Sequence, residues 1–162
     1  MNRRILRSVV AVLVGLAVFV SGYLATVIII AMCNPERFQL DVRPSTGWLL
    51  ITLLIASVWA VIAGFVTGVI ARKDELKHAG GLVLLTLAIS VLWRFIGTEP
   101  PEASAWYPVW HRAAGVILGI AATLLGGWLR MKQAALIARI PQGVTRRVDD
   151  SWLFIAMTID YF

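Results

Sequence analysis

The sequence predicts an all-α integral membrane protein, a four-helix antiparallel bundle, and three observations predict it. Of its 162 residues, 59% are hydrophobic and 15% charged, with a mean hydropathy of +0.82, whereas a soluble domain is about half apolar and a quarter charged. Four long apolar runs fill more than half of the chain and leave no connection long enough to bury a soluble core of its own. Lys and Arg gather on alternate connections, as short loops do when they stay on one side of a bilayer. The composition excludes intrinsic disorder, the single Cys33 excludes an internal disulfide framework, and the 13 Gly lack a collagen period.

Ser8 to Met32 is 25 residues without a charge, enough to cross a hydrocarbon core of about 30 Å with some tilt. A secretory signal has a shorter apolar region of about 7 to 15 residues, so residues 8–32 read as an uncleaved first span. Pro44 to Ala71 is also free of charge, and Pro44 and Gly47 punctuate its start, so the second span is placed at 47–71. The third, 79–97, is completed by carrying the helix through Arg94, whose long stem can snorkel to the surface. The fourth, 108–129, opens at Pro108 and ends before Arg130 and Lys132. Residues 1–132 thus form one membrane domain. From 133 to 162 the chain is expected to be a cytoplasmic tail, with the fourth helix running on to Ile140 until Pro141 and Gly143 end it.

Eleven Lys and Arg fall on one side of this arrangement and four, Arg37, Arg43, Arg94 and Arg112, on the other. Both termini are therefore expected in the cytoplasm of a bacterial cell, the protein lying multi-pass in the plasma (inner) membrane. The net charge of +6 follows from this bias and needs no nucleic-acid partner. Trp48, Trp93, Trp106, Tyr107 and Trp110 fall at the outer interface and Trp128 at the inner one, where amphipathic rings settle.

In lipid, helices associate by close approach at small residues. In span two Ala56, Ala60, Gly64 and Gly68 recur every four positions; in span four Gly115, Gly119, Thr123 and Gly127 do the same, with Ala122 and Gly126 beside them. Each is a glycine-zipper ridge, expected to pack within the bundle, with a homo-oligomer or partner seam as the alternative. Gly64→Leu or Gly119→Leu is expected to weaken that packing. Gly68-Val-Ile-Ala-Arg72-Lys73 and Gly126-Gly-Trp-Leu-Arg130-Met-Lys132 end the second and fourth spans alike, as in a duplicated hairpin.

The Gly-rich second span running into Ala-Arg-Lys, Gly64 to Lys73, the stretch His78-Ala79-Gly80-Gly81 and the close Gly126-Gly127-Trp128-Leu129-Arg130 together resemble a group of small four-span bacterial integral membrane proteins of uncharacterised function. The resemblance loosely covers residues 5 to 132 and implies no active site.

The residues suggest no catalytic, cofactor or metal site. All nine Asp and Glu lie in loops or the tail, which argues against proton- or cation-coupled transport through intramembrane carboxylates. Arg94 is the one intramembrane charge, expected as an interfacial anchor, or as a functional charge paired with Glu99, Glu102 or an anionic substrate. His78 and His111 fall on opposite faces, and Ser8, Ser21, Ser57 and Ser90 have no His at their depth, so neither a two-His metal site nor a nucleophile with its base is expected. Asp74-Glu75 reads as a solvated tight turn. Trp152 to Phe162 is too short to cross the core and alternates as an extended docking strand would, the alternative being adsorption on the membrane. The expected function is that of a non-enzymatic accessory or scaffolding subunit, with lipid and a protein partner or a second copy as its contacts. The alternative is a small oligomeric permease or channel lined by Thr67, Thr86, Ser90 and Thr123.

Overall fold

The computed structural model describes residues 3–33, 44–71, 74–96 and 107–139, less the side chains of residues 3, 4, 93, 94, 138 and 139. Four helices make up this part of the chain: α1 (Arg3–Cys33), α2 (Thr46–Ala71), α3 (Glu75–Ile96) and α4 (Val109–Arg139). All four are long and apolar enough to cross a membrane. Each follows the expected span and overruns it: α1 begins five residues earlier, α3 four residues earlier, and α4 continues ten residues past Leu129. The apolar run marks the part of a helix that suits lipid, whereas the backbone ladder continues into polar residues until a breaker stops it. Ile140, Pro141 and the segment Trp152 to Phe162 lie outside the described residues, as do Glu99, Glu102 and Trp106.

The helix starts have local causes. Ser45 caps α2: its carbonyl takes the amide of Leu49 at 3.0 Å and its hydroxyl the amide of Trp48 at 3.3 Å. Pro108 precedes α4, and its carbonyl accepts from His111 and Arg112. Between α2 and α3, Asp74 adopts φ 53° and turns the chain, and its carbonyl takes the amides of Lys77 and His78. Asp is one of the few residues with a side chain that tolerate this left-handed conformation. The Asp74 carboxylate also meets Lys77 at 2.9 Å, both side chains being well exposed.

Consecutive helices run antiparallel. α2 is central: it packs most extensively on α4, then on α1, and also touches α3, which in turn lies against α4 and α1. Its buried stripe, Leu49, Leu53, Ala60, Ala63, Gly64, Thr67, Gly68 and Ala71, follows helical spacing. Among the described residues, Leu82 and Thr67 are the largest side chains buried almost completely. The interior is thus built from small residues, and the large apolar side chains point outward: Leu84 is 70% exposed, Ile117 66% and Leu54 66%. In water such apolar faces would drive aggregation; in lipid they are the natural outer surface. The chain is a multi-pass membrane protein.

Candidate functional site

The bundle is closed tightly at one end and loosely at the other, and the glycines decide which. A β-carbon on Gly64 would collide with the Thr123 carbonyl, and one on Gly126 with the Val61 carbonyl and, at 2.7 Å, the Phe65 amide nitrogen. The α2 and α4 backbones therefore touch directly, as only residues without side chains allow. Toward the basic end, a β-carbon on Gly127 would lie 2.6 Å from that of Ala79, and one on Gly68 would lie 3.1 Å from the stem of Arg130. Gly15 on α1 faces the Thr67 hydroxyl and Leu82, completing a plug across three helices.

Hydrogen bonds tie the same end. The Arg7 Nε donates to the Ile70 carbonyl at 2.8 Å, satisfying one of the last carbonyls of α2 with a cation at the negative end of the helix dipole. His78 bridges α3 and α1. Its Nδ1 lies 3.0 Å from the Asp74 carbonyl, which can only accept, and its Nε2 lies 2.9 Å from Ser8 Oγ. This corrects the sequence-based expectation that no span serine has a histidine at its depth. The α3 helix starts earlier than its apolar run, so His78 stands one turn inside it, level with Ser8. The pair is an interhelical tie, away from the cavity described below.

Beyond the plug the helices separate around a cavity of about 250 Å³. Leu82 on α3 and Thr123 on α4, both buried, form its floor together with Ala63 on α2. Phe19 on α1, Leu87 on α3 and Val116 and Ile120 on α4 line its middle. Ser90 and Arg112 stand at its opposite end, where Ser90 is exposed and Arg112 half-buried. The polar rim therefore lies at the end of the bundle that carries Cys33, away from Arg7 and Arg130. Among the lining residues described, Arg112 carries the one charge.

The hydroxyls in this wall are turned to their own helices. Thr86 donates to Leu82 or Val83, Ser90 to Thr86 and Thr123 to Gly119, at 2.8 to 3.1 Å. Each thereby presents an oxygen acceptor to the cavity rather than a free proton.

The residues singled out in the sequence divide between these regions. Gly64, Gly68 and Gly127 lie in the tight contacts, and Ala60 is buried on α2 where it borders the cavity. Gly115 and Gly119 line the cavity instead. A β-carbon on Gly115 would meet only Leu53, at 3.5 Å, and one on Gly119 would meet nothing within 4 Å, so Gly119 has room for a side chain that the ridge reading denied it. Arg94 lies in α3 one turn beyond Ser90, its side chain outside the described residues. Thr67 is buried in the plug and lines no part of the cavity.

From the sequence Arg112 is expected only as an outer-side charge. Its spacing was the available signal: Arg112, Gly115, Gly119 and Thr123 follow one another at three or four residues, which sets the arginine on the ridge face. A second tie joins α1 and α2. The Trp59 Nε1 donates to Thr26 Oγ1 at 3.0 Å, and Gly22 leaves room for the Trp59 ring. At the end of the bundle that carries Cys33, His111 lies 3.3 Å from Thr52 Oγ1 and touches the Tyr107 and Trp110 rings. Trp128, toward the other end, carries Lys132 over its ring at 5.5 Å. Among the described residues no three His, Cys, Asp or Glu side chains are grouped to hold a metal ion.

Comparison with known proteins gives no match to a family model, to a curated protein or to a solved structure.

Proposed function

We propose that this protein is a non-enzymatic accessory or scaffolding subunit of a bacterial plasma membrane, acting by association, with both termini and the basic end of the bundle in the cytoplasm. The observation that carries this reading is the groove on the exposed side of the α2–α4 contact. Ser57, Val58 and Val61 on one wall and Leu118, Ala121 and Leu125 on the other leave a concave, almost wholly apolar surface beside the tightest helix pair in the molecule. In lipid, helices dock where small residues let backbones approach, and Ser57 and Ala121 offer that here. The groove beside this close helix contact supports a role in association.

A thiol placed at the groove tests this. In a Cys33→Ser background, Ala121→Cys treated with a short bifunctional cross-linker in native membranes should give one discrete adduct, to a second copy or to another chain. Ala121→Trp should abolish the corresponding complex in mild detergent. A chain that cross-links to nothing and is monodisperse as a monomer would contradict the association role.

The cavity favours a second reading, the small permease or channel, since it gives a path from the outer surface to the middle of the bundle. The plug of Gly15, Thr67 and Leu82 would then be the closed gate. Substrate-specific flux into liposomes that depends on Arg94 or Arg112 would favour this reading over the first.

A further inference from the structure

One end of α4 outruns the bundle. A β-carbon on Gly68 would lie 3.1 Å from the Arg130 stem and 3.3 Å from Glu75, so these residues of α2, α4 and α3 stand at one level. From there α2 runs three residues further, to Ala71, and α3 starts at Glu75 itself, whereas α4 runs nine, to Arg139. About six residues of α4, roughly 9 Å, therefore stand clear of α2 and α3. They lie beyond Arg130 and Lys132, the charges that end the uncharged part of the span. Yet Ala135, Leu136 and Ile137 are all exposed, Leu136 by 63% and Ile137 by 50%. Within the hydrocarbon such side chains are an ordinary outer surface; past the charges that border it they mark a contact site. Trp128, Lys132 and Leu136, four residues apart, share one face of α4, and Lys132 lies over the Trp128 ring at 5.5 Å. The projecting end thus offers an apolar strip with a cation one turn before it.

The chain carries a segment of matching character. Residues 152–162 are apolar at nine of eleven positions, and Asp149 and Asp150 stand just ahead of them. Residues 148–162 hold three Asp and no Lys or Arg, so an anionic lipid surface repels this segment while the basic end of the bundle attracts it. Twelve residues, 140–151, connect it to α4, with Pro141 and Gly143 early in the connection, where the chain can reverse. Extended, such a connection reaches about 40 Å, several times the projecting length of α4. Too short to cross the bilayer, the segment stays on the side where α4 ends, whichever way the bundle is inserted. A tether of this length holds it beside α4 at an effective concentration of the order of millimolar, against which a second copy must compete.

We infer that residues 149–162 dock on the projecting end of their own α4, with Asp149 and Asp150 against Lys132 and the apolar run over Leu136 and Ile137.

The test is a disulfide formed in native membranes by the full chain carrying Cys33→Ser, Leu136→Cys and Met157→Cys, with Ile137→Cys in place of Leu136→Cys as a second position. Under mild oxidation a bond within one chain is expected, seen as a monomer on a non-reducing gel and located by peptide mass. Ile5 is exposed at the same end of the bundle, on α1, so Ile5→Cys with Met157→Cys measures undirected collision. The bond to α4 should form faster than that control by about tenfold or more. Asp149→Lys with Asp150→Lys should bring the rate down toward the control, and adding Lys132→Glu should restore part of it. Equal rates from α4 and α1 would overturn the inference, as would a rate that ignores the charge reversal. Disulfide dimers without the bond inside one chain would assign the face to a second copy instead. No bond at either α4 position also refutes it: a thiol at position 157 that is then shielded from an impermeant maleimide lies on the membrane, and one that reacts freely has no partner.

Discussion

At the scale of single residues, glycines that are alike in the sequence divide into two classes with opposite expected signs. Gly64 and Gly126 face backbone, which cannot rotate aside, so Gly64→Ala and Gly126→Ala should each destabilise, and Leu at either position should cost about 1–3 kcal/mol or more through overpacking. Gly119 faces open space, so Gly119→Ala should gain about 0.5–1 kcal/mol by removing a helix-interior glycine. Unfolding from mild detergent into dodecyl sulfate measures both. The four-residue period that exposed these ridges in the sequence reports which residues share a helix face. It does not report how far the neighbouring helix stands from that face, and the departure of Gly119 from Gly64 lies in that distance. Asp74 gives a second test. At φ 53° a β-branched residue is strained, so Asp74→Val should cost about 1–2 kcal/mol. Asp74→Gly should be tolerated, because the exposed pair with Lys77 contributes little.

At the scale of helices, the four apolar runs were legible because lipid imposes length and composition on each crossing, and the structure places a helix over each of them. The contacts between helices were only half legible. Ridges on α2 and α4 stand out as four small residues in step, whereas on α1 only Ala11 and Gly15 keep the four-residue spacing and Gly22 follows seven residues on, too short a run to stand out. The ties across helices were illegible, since Trp59 with Thr26 and His78 with Ser8 are 33 and 70 residues apart. These ties can be measured. Trp59→Phe keeps most of the ring and loses the hydrogen bond to Thr26, so the expected loss is about 0.6–1.7 kcal/mol, the range for such bonds inside membranes. His78→Leu should loosen the basic end of α1 against α3, which faster hydrogen exchange in the first turns of both helices would show.

At the scale of the whole molecule, the central claim is a four-span bundle with its basic end in the cytoplasm and its cavity facing out. The asymmetry of Lys and Arg, eleven against four, is the warrant for that orientation. The cavity was invisible at the sequence level because it arises where four helices diverge, and its defining charge, Arg112, sat among residues assigned to topology. Residue 33 closes α1 and is exposed, and it is the chain's one thiol. Gln133 is exposed on the extension of α4 beyond the basic end. Labelling with a membrane-impermeant maleimide in intact cells, on the natural chain and on a Cys33→Ser, Gln133→Cys chain, therefore reads both ends of the bundle. The account predicts that Cys33 reacts at once and that the thiol at position 133 reacts only after permeabilisation. The reverse pattern would invert the orientation, and labelling of both positions in intact cells would contradict the four-span bundle itself.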